Sequence, residues 1–198
     1  MEKIKEATNS FKANMIAKEI MDLFEEFGNE DYDSEPVSQR EHMVQCAMLA
    51  IEEDNDEELI LGAFLHDIGH LLKHKQPVQT MGNYGVVNHE RIGADYLRRK
   101  NFSEKVCTVI EMHVAAKRYL VAIDAEYKDK LSEASWQTLQ FQGGPMTKEE
   151  AEKFEEHPYF EEIIKVRLWD EEAKEQYVSM LPLSHFEKLI HSHLNNRI

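Results

Sequence analysis

The chain has 198 residues, with 38 aspartate and glutamate residues against 23 lysine and arginine residues, and a formal net charge of −15. Hydrophobic residues make up 42% of it, which is enough to build a core and argues against disorder. Nucleic acids and anionic membranes are bound mainly through Lys and Arg, so this charge predicts that the chain binds neither. A small anion held by a few well-placed cations stays compatible with the composition.

The length fits one domain spanning residues 1–198, since no repeat, low-complexity segment or long linker divides the chain. The first residues lack the apolar core of a signal peptide, and no apolar stretch approaches the ~18 residues of a membrane span. Cys46 and Cys107 each stand alone among apolar neighbours, which predicts buried free thiols. We therefore expect a cytoplasmic protein.

The apolar pattern is helical almost throughout, and no segment has the convincing alternation of a β-strand. The sequence therefore predicts an all-α fold. In chain order, helices are predicted over residues 10–27, 38–53, 56–71, 88–100, from 103 onward, 132 to 143, 147 to before 158, about 159–177, and from 184 to the C-terminus.

Several of these helices have recognisable N-terminal signals. Asn88 and Ser103 are candidate N-caps. Capping boxes are predicted at Ser38 with Glu41, Thr147 with Glu150, and Ser184 with Glu187. Residues 29–36 form a polar, acidic loop, and the Pro- and Gly-containing segment 73–87 is predicted to be a long irregular loop of the kind that often has a functional role.

Ten histidines are present, and their positions separate them into two groups. Five are interpreted as surface histidines: His74, His157, His185, His191 and His193. In the segment 63–72 (AFLHDIGHLL), by contrast, His66, Asp67 and His70 interrupt an apolar helix, where burying them costs several kcal/mol unless a partner such as a divalent cation satisfies them. At ~100° per residue they share about one third of the helix circumference and can face one cavity. A core histidine paired with an aspartate is the alternative.

Further candidate metal ligands occur on the other predicted helices: His42, His89, His113 and Asp170. Each alone could be a core histidine or a capping or salt-bridged aspartate, but the ordered set is harder to attribute to chance. Six ligands suit two metal ions bridged by a carboxylate inside a helical bundle. Because the set has no cysteine, it is a nitrogen and oxygen site suited to Fe, Mn, Zn or Mg.

The adjacent His66-Asp67 pair within HDIGH resembles the motif that names the HD-domain superfamily, most members of which are metal-dependent phosphohydrolases. A single-metal member needs only His42, His66, Asp67 and Asp170. The added His89 and His113 match the dinuclear branch. The resemblance therefore implies an all-α HD-domain bundle with a dinuclear metal site at its centre.

Three further segments resemble a narrower family, the HD-domain mixed-valent diiron oxygenases that cleave the carbon–phosphorus bond of small 1-hydroxyphosphonates. They are 30–42 (EDYDSEPVSQREH), 135–144 (SWQTLQFQGG) and 167–174 (RLWDEEAK). The similarity extends over about residues 24–174. It implies two Fe ions, Fe(II)/Fe(III), with O2 as co-substrate. Asp67 would bridge them, His42, His66 and Asp170 would complete one site, and His89 and His113 the other.

The same resemblance implies roles around the metals. Tyr32 would fill the open position of the second iron at rest, and Glu35 would engage the substrate ammonium. The phosphonate would be held by His70, Lys117, Ser135, Thr138 and Arg167. A phosphonate dianion needs such charge-assisted donors, and the spacing from His113 to Lys117 and from Arg167 to Asp170 aims both cations at the metals. Ordinary surface or loop positions are the alternative for these residues. Trp136, Trp169 and Tyr84 are candidate cation–π partners, or simply core or lid aromatics.

The leading hypothesis is thus an oxygenase of organophosphonate catabolism acting on a small zwitterionic phosphonate. It would convert 2-amino- or 2-trimethylammonio-1-hydroxyethylphosphonate to inorganic phosphate and glycine or glycine betaine. The alternative is an HD-type phosphohydrolase in which a divalent metal activates water against a phosphate monoester or nucleotide. A metal-binding regulatory module without catalysis is a third possibility.

Overall fold

The computed structural model describes residues 2–32, 35–82 and 84–197. Over these residues the chain forms eleven α-helices, one 3-10 turn at Leu72–His74, and two isolated β-bridges in place of any strand. The predicted all-α class is confirmed. The helices are α1 (Glu2–Phe27), α2 (Gln39–Glu52), α3 (Glu57–Leu65), α4 (Ile68–Leu71), α5 (His89–Arg98), α6 (Glu104–Ile123), α7 (Ala125–Lys130), α8 (Glu133–Phe141), α9 (Lys148–Glu155), α10 (Phe160–Glu172) and α11 (Leu183–Asn195).

Helix α6 runs through the middle of the bundle and packs against α3, α5 and α10, while α2 packs on α3 and α10. The first and last helices pack on each other, and α11 also packs on α3. A stack of three fully buried rings joins them: Phe64 lies between Phe24 and Phe186, with ring centroids 4.6 and 4.2 Å away. Burying each such side chain contributes roughly 1.5–3 kcal/mol. The terminal helices thereby cover one side of α3, while α2, α6 and α10 pack on the rest of it.

Most predicted helix starts are confirmed by their caps. Ser38 with Glu41 and Thr147 with Glu150 form both halves of a capping box. The Ser103 side chain accepts the Val106 N–H. These side chains satisfy backbone donors that the first helical turn leaves without partners, which is why their spacing is informative in the sequence.

Two predicted side-chain caps are wrong. Helix α11 begins at Leu183 behind Pro182, so Ser184 lies inside the first turn instead of capping it. Asn88 precedes α5 as predicted but adopts a left-handed conformation (φ 57°) and makes no side-chain cap hydrogen bond. Its side chain therefore satisfies no backbone donor of the helix. A left-handed backbone conformation at one residue leaves no periodic signal in the sequence.

The predicted helix bounds also differ in places. Helix α1 begins at Glu2, well before residue 10, and α10 ends at Glu172 instead of continuing to 177. The short α7 was not predicted, since six residues carry too little periodicity. Residues 73–87 are irregular after the 3-10 turn, as predicted. Asp33, Ser34 and Asn83 of the two predicted loops lie outside the described residues.

Both cysteines are buried and free, as predicted. The interpretation of His193 as a surface residue is wrong, because its ring is buried and its Nε2 accepts the Ser103 N–H at 3.1 Å. It thereby caps the start of α6 from α11, a contact between distant segments that local sequence does not reveal. Among the described residues, no helix is both long and apolar enough to cross a membrane.

Candidate metal centre and adjoining pocket

The six predicted metal ligands meet at one buried point between α2, α3, α5, α6 and α10. Asp67 lies at its middle. Its Oδ2 is 3.6 Å from His42 Nε2 and 3.4 Å from His66 Nε2, and its Oδ1 is 3.2 Å from His89 Nε2 and 3.5 Å from His113 Nε2. Asp170 joins the first pair, with Oδ1 3.3 Å from His42 Nε2. One carboxylate thus presents one oxygen to each of two pairs of imidazoles.

The helix predicted over 56–71 is broken at His66–Asp67, which is a correction to the single-face argument for these ligands. His66 Nδ1 donates to Ala63 O at 2.8 Å, and that carbonyl is the acceptor which the Asp67 N–H would use in a continuing α-helix. Asp67 accordingly leaves helical geometry, with φ −104° and ψ 12°. The chain then restarts as α4, so that His66 and Asp67 reach the centre from a turn.

Close packing of α4 on α5 depends on Gly69. A Cβ atom built at Gly69 would lie 2.0 Å from the backbone oxygen of His89, far inside van der Waals contact. Only a residue without a side chain permits this approach. Gly69 therefore brings the start of α5, and with it His89, up to Asp67.

The four histidines of the centre share one hydrogen-bonding pattern. Each places its Nδ1 on a backbone carbonyl oxygen: His42 on Ala173 at 2.9 Å, His66 on Ala63 at 2.8 Å, His89 on Val86 at 3.2 Å and His113 on Ile110 at 2.7 Å. A carbonyl only accepts, so each ring carries a proton on Nδ1 and turns Nε2 inward. Such carbonyl contacts orient histidine ligands in metal sites.

The inward-facing atoms fit a cation. The Nε2 atoms approach each other in pairs, 3.0 Å apart for His42 and His66 and 3.2 Å apart for His89 and His113. Within the described part of the chain, the buried Oδ1 of Asp67 accepts no hydrogen bond. Facing nitrogen lone pairs and an orphaned carboxylate oxygen are costly when buried, and a cation between them satisfies all of them.

The charge state of the centre is consistent with this fit. Burial alone would raise the pKa of Asp67, but His66 and His89 hold it well below its ordinary value. Burial likewise opposes ionisation of Asp170, yet Arg167 and the neighbouring histidines hold its pKa well below its ordinary value. Against burial, Asp67 raises the pKa of His66 and His89, so that cation binding has to release protons there. Burial lowers the pKa of His113 to about 3, which keeps that ring neutral.

His70 is different. Its Nδ1 accepts the Val86 N–H at 3.2 Å, and burial together with His89 holds its pKa well below its ordinary value. The ring is therefore neutral, with its one proton on Nε2. One possible metal-ligand atom from each of His70, Asp67 and His89 lies within 4.8 Å of the others, so by distance alone these residues could share a cation. We nevertheless assign His70 as a hydrogen-bond donor, because a protonated Nε2 offers no lone pair to a metal.

A small cavity of about 40 Å³ adjoins the centre on the side of His89 and His113. It is lined by four of the six centre residues and by all seven residues predicted around them: Tyr32, Glu35, His70, Lys117, Ser135, Thr138 and Arg167. Sequence reasoning missed Met81 and Gln142, which also line it. Apolar and amide side chains carry no signal that separates a pocket from a core. A volume near that of one water molecule means that side chains move when a larger ligand enters.

Lys117 is buried beside the cavity, and its Nζ donates to Thr138 Oγ1 at 2.9 Å. Burial, followed by the charge of Arg167, lowers its pKa to about 7. Because an anion stabilises the ammonium form, binding of an anionic ligand next to Lys117 would restore its charge.

Arg167 is buried and held by three neighbours. It forms ion pairs with Asp170 and Glu171, and its Nε donates to the Tyr127 hydroxyl at 2.6 Å. Glu171 also accepts from Ser135 Oγ at 3.2 Å. Sequence reasoning missed Glu171, which anchors two residues predicted to hold the phosphonate. A guanidinium has five N–H donors, so Arg167 keeps donors for a ligand in the cavity.

The two loop residues predicted to gate the site line the cavity together. The Tyr32 ring stacks on His42 with centroids 3.8 Å apart, and its hydroxyl donates to Asp170 Oδ1 at 3.4 Å. That position is on the His42 side of the centre, whereas the resemblance implied a place on the second ion, so this role stays a prediction. Glu35 forms an ion pair with Lys174, whose Nζ is 3.4 Å from Oε1.

Of the three aromatic residues considered as ammonium partners, Tyr84 lines the cavity in the described structure. The tryptophans pack elsewhere. Trp169 is buried and its Nε1 donates to Glu53 at 2.8 Å, while Lys128 covers the ring of Trp136 at 5.4 Å. For both tryptophans the alternative interpretation, a structural aromatic, fits the geometry.

Comparisons with known proteins show the family to which the chain belongs. The profile of the HD-domain family matches residues 40–195. The chain belongs to the HD-domain family. It is 44% identical over 176 residues to the uncharacterized protein L432 of Acanthamoeba polyphaga mimivirus, covering 89% of this chain and 80% of that protein.

Two relatives carry functional names. The chain is 39% identical to the [1-hydroxy-2-(trimethylamino)ethyl]phosphonate dioxygenase (glycine-betaine-forming) of Leisingera caerulea, over 88% of each chain. It is 35% identical to the hydroxymethylphosphonate dioxygenase of Gimesia maris, over 89% of this chain and 87% of that one. The predicted relationship to this group of HD-domain proteins is confirmed.

Proposed function

We propose that this protein is an O2-dependent oxygenase that cleaves the carbon–phosphorus bond of a small 1-hydroxyphosphonate. The observation that carries the proposal is the position of Asp67, which divides its two oxygens between two histidine pairs directly beside a cavity lined with anion-binding donors. The names of two relatives, both phosphonate dioxygenases, support the same reaction class.

Two Fe ions would be held at this centre. His42, His66, Asp170 and one Asp67 oxygen would hold the first, and His89, His113 and the other Asp67 oxygen the second. In an Fe(II)/Fe(III) pair the bound iron would supply the one-electron chemistry needed to activate O2, which amino-acid side chains do not provide. The second ion would have fewer protein ligands than the first and would face the cavity, which leaves room there for substrate and O2.

The protein's own part is to bind and orient the phosphonate. His70 donates from Nε2, Lys117 supplies an ammonium group whose charge the anion restores, and Arg167 supplies its remaining N–H donors. Ser135 and Thr138 of α8 line the same wall; their hydroxyl protons, which here go to Glu171 and to the Ser135 carbonyl, would turn toward the phosphonate when it binds. Together these groups form a cationic wall facing the His89 side of the centre, and they fix the carbon to be oxidised next to it.

Tyr32 and Glu35 would respond to substrate. The cavity is too small for a phosphonate, and both residues belong to the loop at its rim. We propose that the Tyr32 side chain withdraws as substrate enters, while Glu35 receives the ammonium group at the end opposite the phosphonate. The substrate would be 1-hydroxy-2-aminoethylphosphonate or its N-trimethyl analogue, and the products inorganic phosphate with glycine or glycine betaine.

The test compares oxygen uptake with phosphate release. Iron-loaded protein given 1-hydroxy-2-aminoethylphosphonate in air should release phosphate in proportion to the O2 consumed, and should release none without O2. Equal phosphate release under anaerobic conditions with Mn or Mg would contradict the oxygenase, and metal-dependent release from a phosphate monoester would then support the phosphohydrolase alternative. The four residues that a single-metal hydrolase needs are all present here, so the comparison discriminates between real possibilities.

A further inference from the structure

Lys174 lies two residues beyond the end of α10, beside Glu35 and outside the set of described residues that line the cavity. Its Nζ is 3.4 Å from Glu35 Oε1. Within the described part of the chain, that oxygen is buried and accepts no directed hydrogen bond. The contact is therefore an ion pair, and this Glu35 oxygen keeps its capacity to accept a hydrogen bond.

The ammonium group of Lys174 has firmer partners on its other side. It donates to Glu171 Oε1 at 2.8 Å and to Ser132 Oγ at 3.3 Å. Glu171 in turn pairs with Arg167, which pairs with Asp170 of the metal centre. Negative and positive side chains therefore alternate along the row Glu35, Lys174, Glu171, Arg167 and Asp170. Each carboxylate in this row has a cationic neighbour.

The backbone around Lys174 is fixed to α2. The Ala173 carbonyl accepts from His42 Nδ1 at 2.9 Å, and the two backbone polar groups of Glu175 pair with the Gln45 amide at 2.9 and 3.0 Å. The backbone on both sides of Lys174 is therefore held to α2 by hydrogen bonds.

We propose that Lys174 sets the charge preference of the pocket by compensating Glu35. Lys174 makes no contact with the cavity itself, so it acts through Glu35 as a positioning residue. With Lys174 present, the negative charge of Glu35 is partly compensated, and the Glu35 end of the pocket accepts both cationic and uncharged substituents. Without that charge, Glu35 attracts a cation more strongly and the pocket discriminates against uncharged ligands. This inference rests on the proposed function, because the phosphonate group of the ligand has to be anchored in the pocket as proposed there.

The experiment uses two isosteric ligands that lack the 1-hydroxyl group, 2-aminoethylphosphonate and propylphosphonate. Their dissociation constants are measured by calorimetry on the iron-loaded protein under anaerobic conditions. The decisive quantity is the ratio of the propylphosphonate constant to the aminoethylphosphonate constant. In Lys174→Met this ratio should rise roughly fivefold or more, as expected when one charge of a partly buried pair is removed. In Lys174→Arg it should stay near the wild-type value.

A double variant locates the effect. In Glu35→Gln the ratio should fall, and adding Lys174→Met to it should raise the ratio by less than the same change does in the wild-type background. A purely structural role of Lys174 would weaken both ligands equally and leave the ratio unchanged, which would overturn the proposal, as would a falling ratio. If Lys174→Met loses iron or unfolds, Lys174→Gln gives the same comparison.

The outcome is separable from that of the proposed function. Wild-type protein that binds both ligands but releases no phosphate from a 1-hydroxyphosphonate would contradict the oxygenase and leave the ratio measurable. Wild-type protein that binds neither ligand would overturn both the phosphonate pocket and the role of Lys174.

Discussion

The rings of His70 and His89 stack with their centroids 4.1 Å apart. Hydrogen bonds to Val86 nevertheless place the ring proton on different nitrogens, on Nε2 in His70 and on Nδ1 in His89. The Val86 N–H donates to His70 Nδ1, and the Val86 carbonyl accepts from His89 Nδ1. His70 therefore turns a donor toward the cavity, and His89 turns a lone pair toward Asp67. One peptide segment of the 73–87 loop thus separates a substrate-binding histidine from a metal-binding one.

This difference predicts opposite effects for two substitutions. His89→Ala should lower the iron content from two ions to about one, because it removes a ligand. His70→Ala should keep both ions and weaken phosphonate binding by about 10- to 100-fold, the usual cost of one hydrogen bond to a charged group. Metal analysis and calorimetry on the two purified variants make the comparison. Equal iron loss in both would mean that His70 is a ligand after all.

Arg167 should matter for stability as well as for binding. Arg167→Met leaves the buried Asp170 without its cationic partner and leaves the partly buried Glu171 with Lys174, which should lower the free energy of unfolding of the metal-free protein by about 3–5 kcal/mol. Iron should be retained, since no ligand is removed, and phosphonate binding should weaken. Chemical denaturation measures the first effect. Adding Glu171→Gln should recover part of the lost stability, and loss of iron from the single variant would show that Arg167 has been misplaced.

Lys117 should make stability depend on pH in the alkaline range. Its pKa is about 7 in the folded protein and near 10.5 when unfolded. Between these values the unfolded chain binds more protons, so the contribution of Lys117 to stability is least favourable below pH 7 and improves as the pH rises toward 10. Denaturation of metal-free wild type and Lys117→Met should therefore show the variant's advantage shrinking from pH 6.5 to 9.5. A constant difference would mean that the Lys117 pKa is not lowered.

Much of this site is accessible from the sequence, and the missing parts have a common cause. His66, Asp67 and the four dispersed ligands stand out because ionisable residues interrupt apolar helical patterns. Glu171 and Lys174 resemble any charged residues at a helix end, and their importance arises only because α10 carries them against Arg167 and Glu35. The same holds for the break at Asp67, where a side chain displaces a backbone hydrogen bond. Local propensity and periodicity do not record such contacts between side chains and distant backbone.

The central claim, a two-iron centre built on Asp67 beside a phosphonate pocket, is tested most directly by electron paramagnetic resonance of the partly oxidised, iron-loaded protein. We expect a coupled Fe(II)/Fe(III) signal that shifts when a 1-hydroxyphosphonate is added and that Asp67→Ala abolishes together with bound iron. A signal from isolated ferric ions only, unchanged by the phosphonate, would contradict it.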